Sequence, residues 1–244
     1  MGVYPFKLSH HIMTELTIRA SVAPALLFLE TQLPIQVVKD LNTYLDKRHK
    51  KGGESFAQNL VGQIQHGEQL KIDPHDPLIG GFANIVTSMS KAYVDQFCKT
   101  IGAETLDRVP SFHSLWSVHS YERDYNPMHD HGVDTPMGIS FTTWTKIPTQ
   151  IQNGPEYCSQ NLVDSSGIAD GYLQFHFGQT AIRGMEELRP PASKTVKPEV
   201  GKLILFPSWC QHCVYPFEGE GERRTVAGNM NMVPAHLIDQ DTSV

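Results

Sequence analysis

The sequence predicts a mainly β protein with a helical N-terminal part, and three observations predict it. Beyond Pro110 apolar residues recur at every second position, before it they recur at helical spacing, and clusters of Gly, Pro, Asn and Asp separate the later runs. A helical lead packed on a β sandwich or barrel is the simplest architecture that follows. The 244 residues are read as one unit, 1–244, with a helix-rich lead and support over 1–109 and a β core over 110–235.

Ile12 to Ala20 reads as a first strand. Leu33, Ile35, Val37, Val38, Leu41, Tyr44 and Leu45 then follow helical spacing, with Pro34 suited to a first turn, and Lys47-Arg48-His49-Lys50-Lys51 before Gly52-Gly53 suited to an end. That basic run reads as a solvated helix terminus, where cations complement the macrodipole. Residues 52–76 read as loop. A longer helix is expected from Asp76-Pro77 to about Ile101, with Leu78, Phe82, Ile85, Val86, Met89, Tyr93, Val94 and Phe97 as its stripe and Gly102 beyond its end. Strands are expected over Ser111–Tyr121, Met137–Ile147, Tyr172–Phe177, Lys202–Phe206, Cys210–Tyr215 and Arg223–Met232. Residues 148–171 and 178–200 read as irregular inserts, the first a candidate lid.

Composition excludes several classes. A net charge of -6 and a pI near 6.0 disfavour nucleic acid as a partner. No apolar stretch is long enough to span a membrane, and Met1 to Ala20 lacks the pattern of a secretory signal. Cys98, Cys158, Cys210 and Cys213 are too few for a disulfide scaffold and are expected to be reduced. A soluble, cytoplasmic protein is the expectation, in a host cytoplasm if the chain is phage-encoded.

Chemistry concentrates in two places. In Asn126-Pro127-Met128-His129-Asp130-His131 the two imidazoles share a face if the segment is extended, because side chains alternate along a strand. His212 follows the buried run Leu203-Ile204-Leu205-Phe206 and the turn Pro207-Ser208-Trp209, and supplies a third ligand. Three such ligands leave coordination positions open, as a catalytic metal requires, although imidazole alone does not choose among iron, zinc, copper and nickel. Asp130 and Asp134 remain alternatives to His131. His10, His11, His49, His66, His75, His113, His119 and His176 are read as hydrogen-bonded structural residues. Farther on, Arg223 and Thr225 put a guanidinium and a hydroxyl on one strand face, a clamp for a carboxylate. Arg224 reads as an exposed strand arginine, and a slip of register would exchange it with Arg223.

These residues resemble a known series. Asn126 to His131, Ile139 to Pro148, Gly201 to Trp209 with His212, and Arg223 to Asn229 are similar to the motifs of the 2-oxoglutarate and Fe(II)-dependent oxygenases, most of all a phage- and bacterium-associated branch related to prolyl 4-hydroxylases. The similarity spans about residues 110–235. It implies a double-stranded β-helix (jelly-roll or cupin-like) core, Fe(II) held by His129, His131 and His212, 2-oxoglutarate on Arg223 and Thr225, and O2 as cosubstrate. His131 stands where the family has an acidic ligand, Phe141 where relatives often have glycine, and Trp144 where they often have tyrosine. Trp144 is accordingly placed either at the border of the cosubstrate pocket or in the core. Hydroxylation of a C–H bond in a peptide, protein or small molecule, with release of succinate and CO2, is the implied reaction. Two rivals stand beside it: a structural zinc site built on Cys210-Gln211-His212-Cys213, and a non-catalytic cupin-like binding module.

Overall fold

The computed structural model describes residues 26–132, 137–153, 169–178 and 192–235. The strand expected over Ile12 to Ala20 lies outside them. Ten strands and three helices are formed by the described residues, in the order β1 (Leu29–Gln32), α1 (Ile35–Lys51), β2 (Glu68–Lys71), α2 (Gly80–Ile101), β3 (Arg108–Ser120), β4 (Asn126–His129), β5 (Gly138–Lys146), α3 (Thr149–Asn153), β6 (Leu173–His176), β7 (Ser193–Val196), β8 (Lys202–Pro207), β9 (Gln211–Val214) and β10 (Arg223–Pro234).

The strands form two antiparallel sheets, ordered β1-β8-β5-β10-β3-β2 and β4-β9-β6-β7. This is the double-stranded β-helix. Helices α1 and α2 cover the outer face of the larger sheet, where Leu41, Leu45, Phe82 and Val86 pack with Leu115, Phe141, Leu205 and Val226. Both helices stop at glycines in the left-handed conformation, Gly52 (φ 69°) and Gly102 (φ 71°), whose backbone N–H groups cap the last carbonyls.

Phe141 needs room on that face. It pairs with Gly228 across β5 and β10, and a Cβ on Gly228 would lie 2.5 Å from the Phe141 ring and 2.6 Å from the Ser114 carbonyl oxygen. The bulky residue and the bare one therefore fit as a pair.

Between the sheets one region is filled by Ile147, Ile151, Phe175, Ile204, Phe206 and Phe217. The rest is open and forms the site. Alternation along β10 sends Arg223, Thr225, Ala227 and Asn229 into this space, and Arg224 and Val226 toward the helices.

Three expectations are corrected. Residues 52–76 contain strand β2, which pairs with β3, and a short 3-10 turn at Ala57–Asn59. Residues 178–200 contain β7, which pairs with β6. Arg224 is not exposed: it is buried, donating to Glu222, Asp46 and Asn42, and so clasps the larger sheet to α1. A strand edge on its own would have left it in water. The helix packed above changes its environment.

Candidate metal centre and anion clamp

Two strands of the smaller sheet bring the histidines together. His129 on β4 is the register partner of His212 on β9, with ring centroids 4.3 Å apart, and His131 follows just past the end of β4. His131 is steered by its own backbone, whose N–H donates to the Ser208 carbonyl in the turn after β8, and by stacking on Trp116 of β3. One nitrogen from each of His129, His131 and His212 lies within 4.8 Å of the others. Asp130 contributes no atom to this group, and Asp134 lies outside the described residues.

Each imidazole has its Nδ1 engaged. His129 Nδ1 donates to Pro127 O (2.7 Å), His212 Nδ1 to Cys210 O (3.0 Å), and His131 Nδ1 to Asn229 Oδ1 (2.8 Å). Carbonyl oxygens can only accept, so the proton of each neutral ring sits on Nδ1 and the Nε2 lone pair is free. Burial, together with the other imidazoles in the cluster, holds His131 down at about 4 and His212 well below the ordinary histidine range; burial alone lowers His129. The rings are therefore neutral at pH 7.

That leaves His131 Nε2 and His212 Nε2 facing each other at 3.2 Å with no proton between them. Two lone pairs so placed repel unless a cation lies beside both. Adjacent ligands about 2.1 Å from one metal, at a right angle, would be about 3 Å apart, so the spacing fits. The donor set suits a first-row divalent metal and leaves positions open opposite the imidazoles.

Asn229 is held in turn by polar neighbours on the larger sheet. Its Oδ1 accepts from Ser140 Oγ (2.8 Å), and its Nδ2 donates to Ser114 Oγ (3.1 Å). Sequence reading placed Asn229 within the resembling stretch but gave it no role. Its parity with Arg223 along β10 is the signal that could have found it.

Arg223 is 1% exposed. Its Nη1 donates to Gly171 O (2.9 Å), while its Nε is buried without a partner among the described residues. Burial lowers its pKa to about 10, opposed by the negative charge of Asp124, so the guanidinium still keeps its proton at pH 7. Thr225 Oγ1, on the same face, is also buried without a partner among the described residues. Orphaned donors of this kind cost about 1–3 kcal/mol each unless a ligand accepts from them. Trp144 stands opposite Thr225 in the register, is 2% exposed, and lines the cavity. It packs in the core cluster between the sheets while bordering the cavity.

His129, His131, His212, Arg223, Thr225 and Trp144 all border a single cavity of about 390 Å³. Cys210 and Cys213 do not border it, and neither joins the histidine group.

Three convergent imidazoles and a buried guanidinium that border one cavity, between the sheets of a double-stranded β-helix, suit a metal ion and an anionic ligand. Residues 114–229, just under half of the chain, match the family model described as "Putative 2OG-Fe(II) oxygenase". A Pseudomonas putida prolyl-4-hydroxylase shares the fold at 15% identity and a TM-score of 0.50, over 84% of this chain and 91% of that one. HygX from Streptomyces hygroscopicus, crystallised with nickel and 2-oxoglutarate, shares it at 9% identity and a TM-score of 0.50, over 85% and 83% of the two chains. No curated protein matches the chain. Among the described residues no helix is long and apolar enough to cross a membrane.

Proposed function

We propose that His129, His131 and His212 hold the ferrous ion, that Arg223 and Thr225 hold the distal carboxylate of 2-oxoglutarate, and that the enzyme hydroxylates a C–H bond of a peptide or small molecule. One observation carries the reading: the three imidazoles converge, with His131 Nε2 and His212 Nε2 3.2 Å apart, while every Nδ1 is tied off by an oxygen. When bound, iron with 2-oxoglutarate and O2 supplies oxidative decarboxylation to succinate and CO2, with the remaining oxygen atom inserted into the substrate bond.

The chain's own residues do the rest. The carbonyls of Pro127 and Cys210 and the amide of Asn229 fix the tautomer and direction of each imidazole, as outer partners do in metal sites generally. Arg223 supplies a charge-assisted donor in a place closed to water, where such a bond is at its strongest. Trp144, Phe206 and Leu173 wall the cavity and exclude bulk solvent from the reacting centre. His131 in place of a carboxylate makes the protein ligand set neutral, so the bound ion keeps its full positive charge to attract the cosubstrate.

The fold does not choose the prime substrate. It serves a prolyl-4-hydroxylase in one relative and is found with hygromycin B bound in another. A cytosolic setting agrees with the free thiols of Cys98, Cys210 and Cys213.

The test is anaerobic purification followed by addition of Fe(II), 2-oxoglutarate and O2. Slow succinate formation without prime substrate, lost in Arg223→Ala and in His212→Ala, is the expected result. Stoichiometric zinc that no Fe(II) displaces, with no succinate formed, would overturn the reading.

A further inference from the structure

The cavity has a second set of orphaned polar atoms, of opposite kind to Arg223 and Thr225. Gln69 Oε1 and Asn126 Oδ1 are buried without a hydrogen-bond partner among the described residues, and both residues line the cavity. Gln69 is 5% exposed. The two come from different sheets. On the larger sheet one register row runs Gln69–Val118–Thr225–Trp144 across β2, β3, β10 and β5. On the smaller sheet another runs Asn126–Val214–Leu173 across β4, β9 and β6. Gln69 thus sits two strands from Thr225, roughly 10 Å away across the sheet, on the side away from Trp144.

Gly62 separates the two oxygens. A Cβ at this position would lie 2.5 Å from Asn126 Oδ1 and 3.0 Å from Gln69 Oε1, so any side chain would press on both atoms and displace them. The strand-like pairing of Gln63 with Tyr125 pins the segment there, with Gln63 N donating to Tyr125 O (2.8 Å) and Tyr125 N to Gln63 O (3.3 Å). Phe56, Leu60, Val61, Trp116 and Val118 supply apolar walls.

From these positions we infer that Gln69, Asn126 and Gly62 form a prime-substrate subsite that takes a neutral NH2 group, a primary carboxamide being its simplest form. This rests on the reading of the cavity as the oxygenase site. Two acceptors set against one glycine at the cavity wall call for two N–H bonds on one nitrogen, which a hydroxyl does not provide. The partners are neutral amides, and the same cavity holds the Arg223 guanidinium and the proposed metal centre, so an added ammonium would meet repulsion. The sole carboxylate among the described lining residues, Asp130, is exposed at the rim. Burying an acceptor without a partner costs stability, and the fold retains two of them on residues that line the cavity.

The experiment uses benzamide as probe, with N,N-dimethylbenzamide and methyl benzoate as matched molecules lacking N–H. Protein loaded with Zn(II) and 2-oxoglutarate is titrated by NMR. Benzamide is expected to bind at least tenfold more tightly than either analogue, and Gln69→Leu, Asn126→Leu and Gly62→Ala are each expected to erase that preference. Equal binding of all three probes, or a preference that survives in Gln69→Leu, overturns the proposal. So does failure of benzamide to bind wild-type protein that has already been shown to bind 2-oxoglutarate; failure of 2-oxoglutarate itself overturns the wider reading as well. Thermal unfolding gives a second readout that needs no ligand. Gln69→Leu is expected to unfold at the same temperature as wild type or higher, because no internal bond is lost. A fall of several degrees would mean that the oxygen is bonded within the fold, and would refute the subsite.

Discussion

Arg223 and Arg224 are neighbours in sequence and opposites in role. Arg223 faces the cavity with its Nε unpaired among the described residues, whereas Arg224 faces α1 with its donors on Glu222, Asp46 and Asn42. Alternation along a strand made the first legible, since Thr225 shares its face. Nothing near Arg224 in sequence announced Asp46 and Asn42, which lie on a helix far earlier in the chain. Removing Arg223 deletes a charge-assisted donor in a dry site, an interaction worth about 2–5 kcal/mol, so Arg223→Ala should weaken 2-oxoglutarate binding at least roughly thirtyfold by calorimetry. Thr225→Val should cost about 1 kcal/mol, or several-fold. Arg223→Lys should recover little, because an ammonium cannot reproduce the planar fork.

Elements show which parts of the fold a sequence can declare. Long strands β3, β5 and β10 display period two over many residues and fall close to their expected bounds. β2 and β7 have four residues each, with polar members such as Glu68 and Lys71 or Ser193 and Lys194, and are strands because longer neighbours pair with them. His131 and His212 were legible as a pair of signals; their outer partners Asn229 and Cys210 O were not, because those contacts exist only once the sheets face each other.

Two element-level predictions follow from the packing of the larger sheet. Gly228→Ala should destabilise by about 1–3 kcal/mol, since its Cβ would press on Phe141 and on the Ser114 carbonyl; chemical denaturation measures this, and Phe141→Leu should relieve part of it. The second concerns Glu222. Burial raises its pKa, but hydrogen bonds from His119 and Arg224 and the Arg224 charge outweigh that and hold it at about 2. A carboxylate depressed on folding contributes stability that is complete above its unfolded pKa, near 4.5, and is lost as pH falls toward 2. Glu222→Gln should therefore be less stable than wild type at pH 7, on the order of 2 kcal/mol, and the difference should shrink as pH drops from about 4.5 to about 2.

For the whole molecule, the packing predicts a fold that does not depend on the proposed metal. The three imidazoles sit at one opening between two sheets whose apolar clusters close without them. A chelator should leave the protein folded, by circular dichroism, whereas a structural zinc protein would unfold. Ligands that bind the folded state at about 100 times their Kd add about 2.7 kcal/mol, so metal with 2-oxoglutarate should raise the Tm by roughly 5–10 °C for a chain of this size. The neutral donor set is what would set the proposed centre apart from an acidic one, and it makes the identity of the second ligand decisive. Anaerobic calorimetric titration with Fe(II) tests it most directly. The account predicts one ion per chain, bound at least about tenfold more weakly in His129→Ala, His131→Ala and His212→Ala alike, and unchanged in Asp130→Asn. Undiminished binding in His131→Ala together with loss in Asp130→Asn would contradict it.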